Sequence, residues 1–358
     1  MLGKTNTSSI DLIAVANGTG GFVITGQTAG DLSGFNVSGI GDVNGDGLAD
    51  VLVSTPYANS YLGKSYVVFG KTNTSSVDLI AVANGSGGFV LTGQTAGDWS
   101  GFSVSGGGDI NGDGLADVLV GAPYANNSAG KGYVVFGKTN SSTLNLNLVA
   151  SGTGGFAIIG PTGESSAFSV SGVGDINGDG LADVLVGAPY ANNAVGKSYL
   201  VFGKTNTSSV DLNAVANGTG GFVISGQTAG DWSGFSVSGV GDVNGDGMND
   251  LLISAPNVAN YTGKSYLVFG VANGSAVNLS AVAAGSGGFV INQVASLNNS
   301  APVVSALGDF NGDGLADFLI NTRNADSARG LSYVVYGKTN TSALELSAVL
   351  LGSGGFVI

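Results

Sequence analysis

Asp42-Val43-Asn44-Gly45-Asp46-Gly47-Leu48-Ala49-Asp50 returns almost letter for letter in four further stretches, beginning at Asp109, Asp175, Asp242 and Asp309. The starts lie 67, 66, 67 and 67 residues apart, so the 358-residue chain reads as a tandem array with one oxygen-rich loop in every unit.

What stays fixed in the loop and what drifts defines its chemistry. The first position is Asp42, Asp109, Asp175, Asp242 and Asp309, and the third is Asn44, Asn111, Asn177, Asn244 and Asn311. The fifth is Asp46, Asp113, Asp179, Asp246 and Asp313, and the ninth is Asp50, Asp117, Asp183, Asp250 and Asp317. Position two wanders among Val, Ile and Phe, so only the oxygen carriers are held. A cation of calcium's size takes six to eight oxygen ligands, and alternate side chains on a tight loop can converge on one. The glycines at positions four and six let the backbone turn that sharply. In the related EF-hand pattern the seventh position ligates through its carbonyl, which accounts for the apolar Leu48, Leu115, Leu181, Met248 and Leu315. This loop closes with Asp at position nine where an EF-hand closes with Glu at position twelve. Turn formation alone also favours Asp, Asn and Gly, but turns tolerate Ser, Thr or Lys where these five copies never carry them. The expectation is five Ca²⁺ sites, with Mg²⁺ disfavoured by its smaller octahedral shell.

Composition agrees. Glycine supplies 64 residues, charged residues only 10% and hydrophobic residues 43%, which describes a turn-rich β protein and not a disordered chain. The net charge of −13 is concentrated, since fifteen of the 24 acidic residues stand in the loops. Five bound Ca²⁺ would bring it to about −3. With only 11 basic residues, nucleic acid is disfavoured as a partner. The absence of Cys and His removes disulfides, zinc sites and His-dependent catalysis. Met1-Leu2-Gly3-Lys4-Thr5-Asn6 lacks the apolar run of a secretion signal, and no stretch is long and apolar enough to insert into a membrane. Calcium loops of extracellular type nonetheless point outside the cell or to its surface, with export as part of a longer protein or by another route. Sequons such as Asn6-Thr7-Ser8 are expected by chance in so Asn- and Ser-rich a chain.

The second unit predicts four strands: Ser100–Ser105 into the loop, Ala116–Gly121 out of it, then Gly132–Gly137 and Gly154–Ile159. Ser76 is read as the cap of one or two helical turns in the connection that follows the third strand. Short strands joined by tight turns describe a propeller blade. The unit resembles the FG-GAP repeat, the blade of the integrin alpha-subunit β-propeller, on its loop and on Gly121-Ala122-Pro123 and Gly187-Ala188-Pro189. It departs where the family's Phe-Gly becomes Ser33-Gly34, Ser100-Gly101, Ser166-Ala167 and Ser233-Gly234, and where Gly-Ala-Pro becomes Ser54-Thr55-Pro56, Ser254-Ala255-Pro256 and Asn321-Thr322-Arg323. The resemblance implies an all-β propeller whose calcium loops join the first and second strands on one face. The opposite face is then built from the second-to-third and fourth-to-first connections and is where integrin-type propellers meet partners.

Blades are expected at about 31–93, 94–160, 161–226, 227–292 and 293–358, a ring of five with residues 1–30 as an extra closing strand. The extra arises because Gly-Gly-Phe strands start six times, at Gly20, Gly87, Gly154, Gly220, Gly287 and Gly354, against five loops. The first and last therefore compete for one slot, and strand exchange between copies is one outcome. Leu32, Trp99 and Trp232 with Tyr57, Tyr124 and Tyr190 are placed on the face opposite the loops, either as a binding surface for a protein or glycan or as packing between blades. Blade 5 differs there, at Ser296–Pro302 and Asn321–Asp326, which reads either as a pocket around Arg323 or as relaxed constraint in a terminal unit. Asp31, Asp98, Glu164 and Asp231 repeat with the blades and are read as ties between loops. The expected function is a non-catalytic calcium-binding adhesion or interaction scaffold. The alternatives are a carbohydrate-binding propeller and a self-assembling module, with an enzyme disfavoured.

Overall fold

In the computed structural model, which describes residues 9–258, 262–271, 274–294, 302–322 and 330–358, each repeat folds into one small sheet. Blade 1 is β2 (Val37–Gly41), β3 (Asp50–Thr55), β4 (Lys64–Val68) and β6 (Gly88–Thr92), and blade 2 is β7 (Ser103–Gly108), β8 (Asp117–Ala122), β9 (Lys131–Val135) and β11 (Gly155–Ile159). Blade 3 is β12 (Ser169–Gly174), β13 (Asp183–Ala188), β14 (Lys197–Val201) and β16 (Gly221–Ser225). Blade 4 is β17 (Val237–Gly241), β18 (Asp250–Ala255), β19 (Lys264–Val268) and β21 (Gly288–Asn292). Blade 5 is β22 (Pro302–Gly308), β23 (Asp317–Thr322), β24 (Leu331–Val335) and β26 (Gly355–Val357). These four-strand runs are antiparallel throughout, and the architecture fits a β-propeller.

The expected blade had four strands; blades 1 to 4 have a fifth. Two residues of the next repeat add to the outer edge in parallel: β10 (Leu144–Asn145) on β6, β15 (Val210–Asp211) on β11, β20 (Val277–Asn278) on β16 and β25 (Leu344–Glu345) on β21. Each then runs straight into a short helix, as Val77-Asp78 runs into Leu79–Ala83. The cap there is Asp78, whose carboxylate accepts from the Ile80 N–H, and not Ser76 as the sequence reading had it. Leu79 and Val82 decide the matter. They are one turn apart and both fully buried against the sheet, which fixes the helix start at Leu79 and the cap at the residue before it.

Packing between blades forms the core. Leu52, Val67 and Phe89 of blade 1 meet Val104, Val118 and Val120 of blade 2, and equivalent clusters follow at the later junctions. The innermost strands β2, β7, β12, β17 and β22 pack in sequence. They are tied by serines: the Ser38 Oγ–H donates to the Gly39 carbonyl while its oxygen accepts from the Gly106 N–H, and Ser105 and Ser171 repeat the tie to Gly172 and Gly239. Every innermost strand ends in a register shift, such as Gly39/Gly41 in β2, that re-aims the chain into its loop.

No packing like that between consecutive innermost strands joins β22 back to β2 among the described residues. Val37 is 60% exposed where Val104, Val170 and Val237 are 6–7% exposed, and Phe310 is 59% exposed where Val43, Ile110 and Val243 are fully buried. The duplicated strand also has a definite place. β26 occupies the fourth position beside β24, whereas β1 (Ile24–Thr25) stands apart, paired among the described residues only with β5 (Val77–Asp78).

Candidate functional site

The five loops join the first strand of each blade to the second, and their hydrogen bonding is the same in all. Asp42 Oδ1 accepts from the N–H groups of Gly45 (2.7 Å) and Asp46 (3.1 Å), and Oδ2 from Gly47 (2.7 Å). Asp109, Asp175, Asp242 and Asp309 repeat this wrap. Gly45 and Gly47 have φ of 79° and 84°, which presents successive amides to one carboxylate. The amides, led by Gly47, hold the Asp42 carboxyl below its ordinary pKa. Asn44 accepts from the Asp46 N–H (2.8 Å) and donates through Nδ2 to Asp46 Oδ2 (3.0 Å), and Asp46 Oδ1 accepts from the Leu48 N–H. Positions one, three and five are thus gathered at the exposed tip.

Position nine is turned the other way. Asp50 Oδ2 accepts from the Val43 N–H and Oδ1 from the Gly70 N–H, tying the loop to the end of the third strand. Asp117, Asp183, Asp250 and Asp317 do the same and are fully buried. Burial pushes the carboxyls of Asp117 and Asp250 up to about 7 and that of Asp183 to about 6, aided by the other acids of the loop. Among the described residues no three acidic side chains meet closely enough to make a finished cage. The donor set still suits a hard cation. It offers oxygens only, the oxygens that accept a single amide (Asp42 Oδ2, Asp50 Oδ1 and Oδ2) keep a second lone pair, and the buried ninth carboxylate has two amides and no basic side chain to offset its charge. The residues that would hold the ion are positions one, three, five and nine through side chains and position seven through its carbonyl.

On the opposite face the second-to-third connection of blades 1 to 3 contains three consecutive left-handed residues: Asn59-Ser60-Tyr61, Asn126-Asn127-Ser128 and Asn192-Asn193-Ala194, all with φ between 52° and 61°. The turn aims a carbonyl sideways. Tyr61 O accepts from the Gly97 and Trp99 N–H groups, and Ala194 O from those of Gly230 and Trp232. Here the strain is repaid by joining the two connections that build this face. Trp99 itself, at φ 56°, stacks across the junction on Tyr61 (5.0 Å, 12° between planes), meets Tyr57 there, and meets Tyr124 within its own blade. Phe35, Phe102, Phe168 and Phe235 contact one another in turn around the mouth of a central cavity of roughly 660 Å³, whose walls are serines and valines of the innermost strands. Tyr190 and Trp232 extend the aromatic set, and Leu32 is exposed beside it. The rings therefore pack between neighbouring blades and keep exposed faces, Tyr61 and Phe35 most of all.

Sequence reasoning missed one constellation. A Lys-x-Tyr pair on the third strand reaches back to a polar residue of the preceding connection: Lys131 and Tyr133 to Gln94, Lys64 and Tyr66 to Gln27, and Tyr266 to Gln227. Where Pro161 replaces the glutamine, Glu164 serves Lys197 (3.0 Å) and Tyr199 (2.7 Å) instead. Glu164 is thus a tie as expected. Asp231 accepts from the Thr228 N–H, and burial raises the carboxyls of Asp98 and Asp231. The loop Ser296–Ala301 and the surroundings of Arg323 lie outside the described residues.

Comparison with known proteins gives four matches to the FG-GAP repeat, at residues 34–68, 100–135, 167–201 and 233–268, one in each of blades 1 to 4. Integrin alpha-V of Gallus gallus is 28% identical over 232 residues, covering 62% of this chain and 20% of that protein. Integrin alpha-PS5 of Drosophila melanogaster is 34% identical over 196 residues, 50% of this chain and 17% of that one. Integrin alpha pat-2 of Caenorhabditis briggsae is 26% identical over 248 residues, 63% and 18% respectively. The chain spans about a fifth of the length of these relatives. No helix among the described residues is long and apolar enough to cross a membrane.

Proposed function

Because this chain is an FG-GAP repeat protein, we propose that it is a calcium-stabilised propeller of five blades that serves, without catalysis, as an adhesion or interaction scaffold outside the cell or on its surface. The observation that carries the scaffold reading is the aromatic array opposite the loops, which runs unbroken from Phe35 to Phe235 across four blades and offers anchors of the kind that dominate protein contacts. The similarity to integrin alpha subunits supports the same reading. Calcium acts from the other face. Each ion would offset three carboxylates confined to one loop, so that metal binding becomes folding energy. The loops also sit where this energy tightens junctions, because the Ala116 N–H donates to the Asp42 carbonyl and the Ala182 N–H to that of Asp109.

A second reading is favoured by the stacked, half-exposed Tyr61 and Trp99: the same array takes a carbohydrate, apolar sugar faces lying on the rings. The chain's two tryptophans, Trp99 and Trp232, are both on this face, so their fluorescence reports on it. Titration with a panel of soluble oligosaccharides should shift that emission if the carbohydrate reading holds. Silence there, with a shift on adding immobilisable extracellular matrix proteins, supports the scaffold. No response to either refutes the assignment of this face as a recognition surface. Calorimetric titration of calcium into chelator-treated protein tests the metal half, with five equivalents expected.

A further inference from the structure

Consecutive blades are joined on two faces, and one junction departs from the others on the loop face alone. We infer that the junction between blades 3 and 4 is a hinge, held on the aromatic face and free to part on the loop face. The inference rests on packing within the chain and is independent of what the aromatic face binds.

Between blades 1 and 2, 2 and 3, and 4 and 5, the loop face is closed by four contacts. The seventh loop residue leans on the fourth of the preceding loop, so that a Cβ on Gly45, Gly112 or Gly245 would meet Cδ2 of Leu115, Leu181 or Leu315 at 3.0–3.2 Å. The N–H of the eighth donates to the first carbonyl of the preceding loop: Ala116 to Asp42, Ala182 to Asp109 and Ala316 to Asp242. A lysine after the third strand donates its N–H to the second carbonyl of that loop: Lys138 to Val43, Lys204 to Ile110 and Lys338 to Val243. Its ammonium then lies on Phe89, Phe156 or Phe289 of the preceding blade, 3.9–4.1 Å from the ring centre.

Between blades 3 and 4 none of the four is made, because Met248, Asn249 and Val271 stand where the other blades have Leu, Ala and Lys. Nothing lies within 4 Å of a Cβ on Gly178. Asn249 acts as a spacer. A Cβ on Gly41, Gly108 or Gly241 would meet an alanine Cβ at 3.0 Å, whereas on Gly174 the nearest atom is Nδ2, the tip of the longer Asn249 side chain. The Asn249 main chain is set back accordingly, and among the described residues no main-chain N–H of blade 4 donates to the Asp175 or Ile176 carbonyl. A Cβ on Gly137, Gly203 or Gly337 would lie 2.9–3.0 Å from the second carbonyl oxygen of the preceding loop. On Gly270 the Ile176 oxygen is not among the three nearest atoms, the last of which is at 3.5 Å. Val271 has no ammonium to lay on Phe222 and keeps only an apolar contact with the junction core. The aromatic side of the same junction is complete. Ala194 O accepts from Gly230 and Trp232, the Gly226 N–H donates to the Gly196 carbonyl, the Ser233 N–H to that of Val195 and the Ser169 hydroxyl to that of Gly234. Bonds along one side and none along the other make a pivot.

The test is residue-resolved amide hydrogen exchange of the full chain in excess calcium at neutral pH. Val43, Ile110, Ile176 and Val243 each donate their N–H to the ninth carboxylate of their own loop at 2.8–2.9 Å, so the junction to the following blade is what distinguishes them. The Ile176 amide should exchange about tenfold faster than the other three, since parting of the loop face admits water to it. Equal rates at the four positions overturn the proposal. Asn249→Ala/Val271→Lys supplies two of the closing contacts and should slow Ile176 to the rate of Ile110 with a rise in melting temperature; fast exchange in that variant refutes these residues as the cause. The reciprocal Ala182→Asn/Lys204→Val should move the hinge to blades 2 and 3, speeding Ile110 by a similar factor and leaving Ile176 as it was. An unchanged Ile110 rate there counts against the proposal equally, and should that variant not fold, the first one still decides.

Discussion

The Tyr199 hydroxyl donates to Glu164 Oε2 at 2.7 Å, filling with a carboxylate the role that Gln27, Gln94 and Gln227 fill for Tyr66, Tyr133 and Tyr266. Burial, and next the bond to Glu164, hold the Tyr199 hydroxyl far above its ordinary pKa, so it is a permanent donor at neutral pH. Glu164→Ala should therefore strand a buried hydroxyl and a half-buried ammonium together, at a cost of about 1–3 kcal/mol. Glu164→Gln keeps an acceptor and should cost less than half as much. Urea midpoints of the two variants at pH 7 check the order, and equal losses would deny the bond to Tyr199 any part in stability.

Gly130 and Gly163 share a φ of 80°, yet a Cβ on Gly130 would lie 2.0 Å from the Ser166 carbonyl oxygen while one on Gly163 meets nothing within 4 Å. Gly163→Ala should cost only the left-handed strain, about 1–2 kcal/mol. Gly130→Ala must in addition push the connection to blade 3 off blade 2, and should cost at least twice that. Denaturant unfolding of the pair separates conformational strain from close approach.

Much of this was legible because the repeat supplies its own comparison. Five copies of the Asp42–Asp50 string isolate the oxygen carriers, and the strand following each loop is marked by its β-branched run. The outermost strand was not legible. Leu144-Asn145 is two residues long, and an Asn before an apolar helix reads as a cap, which it also is. The Gln94–Tyr133 bond spans 39 residues between common residue types, so no local pattern announces it. The difference in exposure between Val37 and Val104 could not be read either, since they are the same letter in the same motif.

Ala194 adopts φ 61°, the third residue of a left-handed turn whose equivalents are Tyr61 and Ser128. A side chain with a Cβ is strained there, while glycine is not. Ala194→Gly should stabilise the protein by about 0.5–1 kcal/mol, net of the greater freedom glycine has when unfolded. The usual outcome of an Ala-to-Gly change is the reverse. A lowered urea midpoint would mean that the turn is not strained in solution and that the carbonyl's two bonds to Gly230 and Trp232 owe nothing to it.

Calcium should invert the response of stability to pH. In the metal-free protein the ninth-position carboxyls of Asp117, Asp183 and Asp250 titrate at about 6 to 7 when folded and near 3.8 when unfolded. Between those limits the folded state binds more protons, so stability is complete at the acid end and is lost as pH rises through 6 to 7. Asp42 runs the other way: its lowered pKa gives stability that is present above about 4 and disappears on further acidification. With chelator, the melting temperature should therefore fall between mildly acid and neutral pH. Calcium binds only the ionised loops, so at saturating calcium it should rise over the same interval. Asp113→Ala should remove one equivalent of calcium from the titration and leave the other four loops intact, being confined to the tip of one loop. Parallel pH curves with and without calcium would show that the ninth carboxylates do not share the ion, and would restrict any bound metal to the exposed tip formed by positions one, three and five.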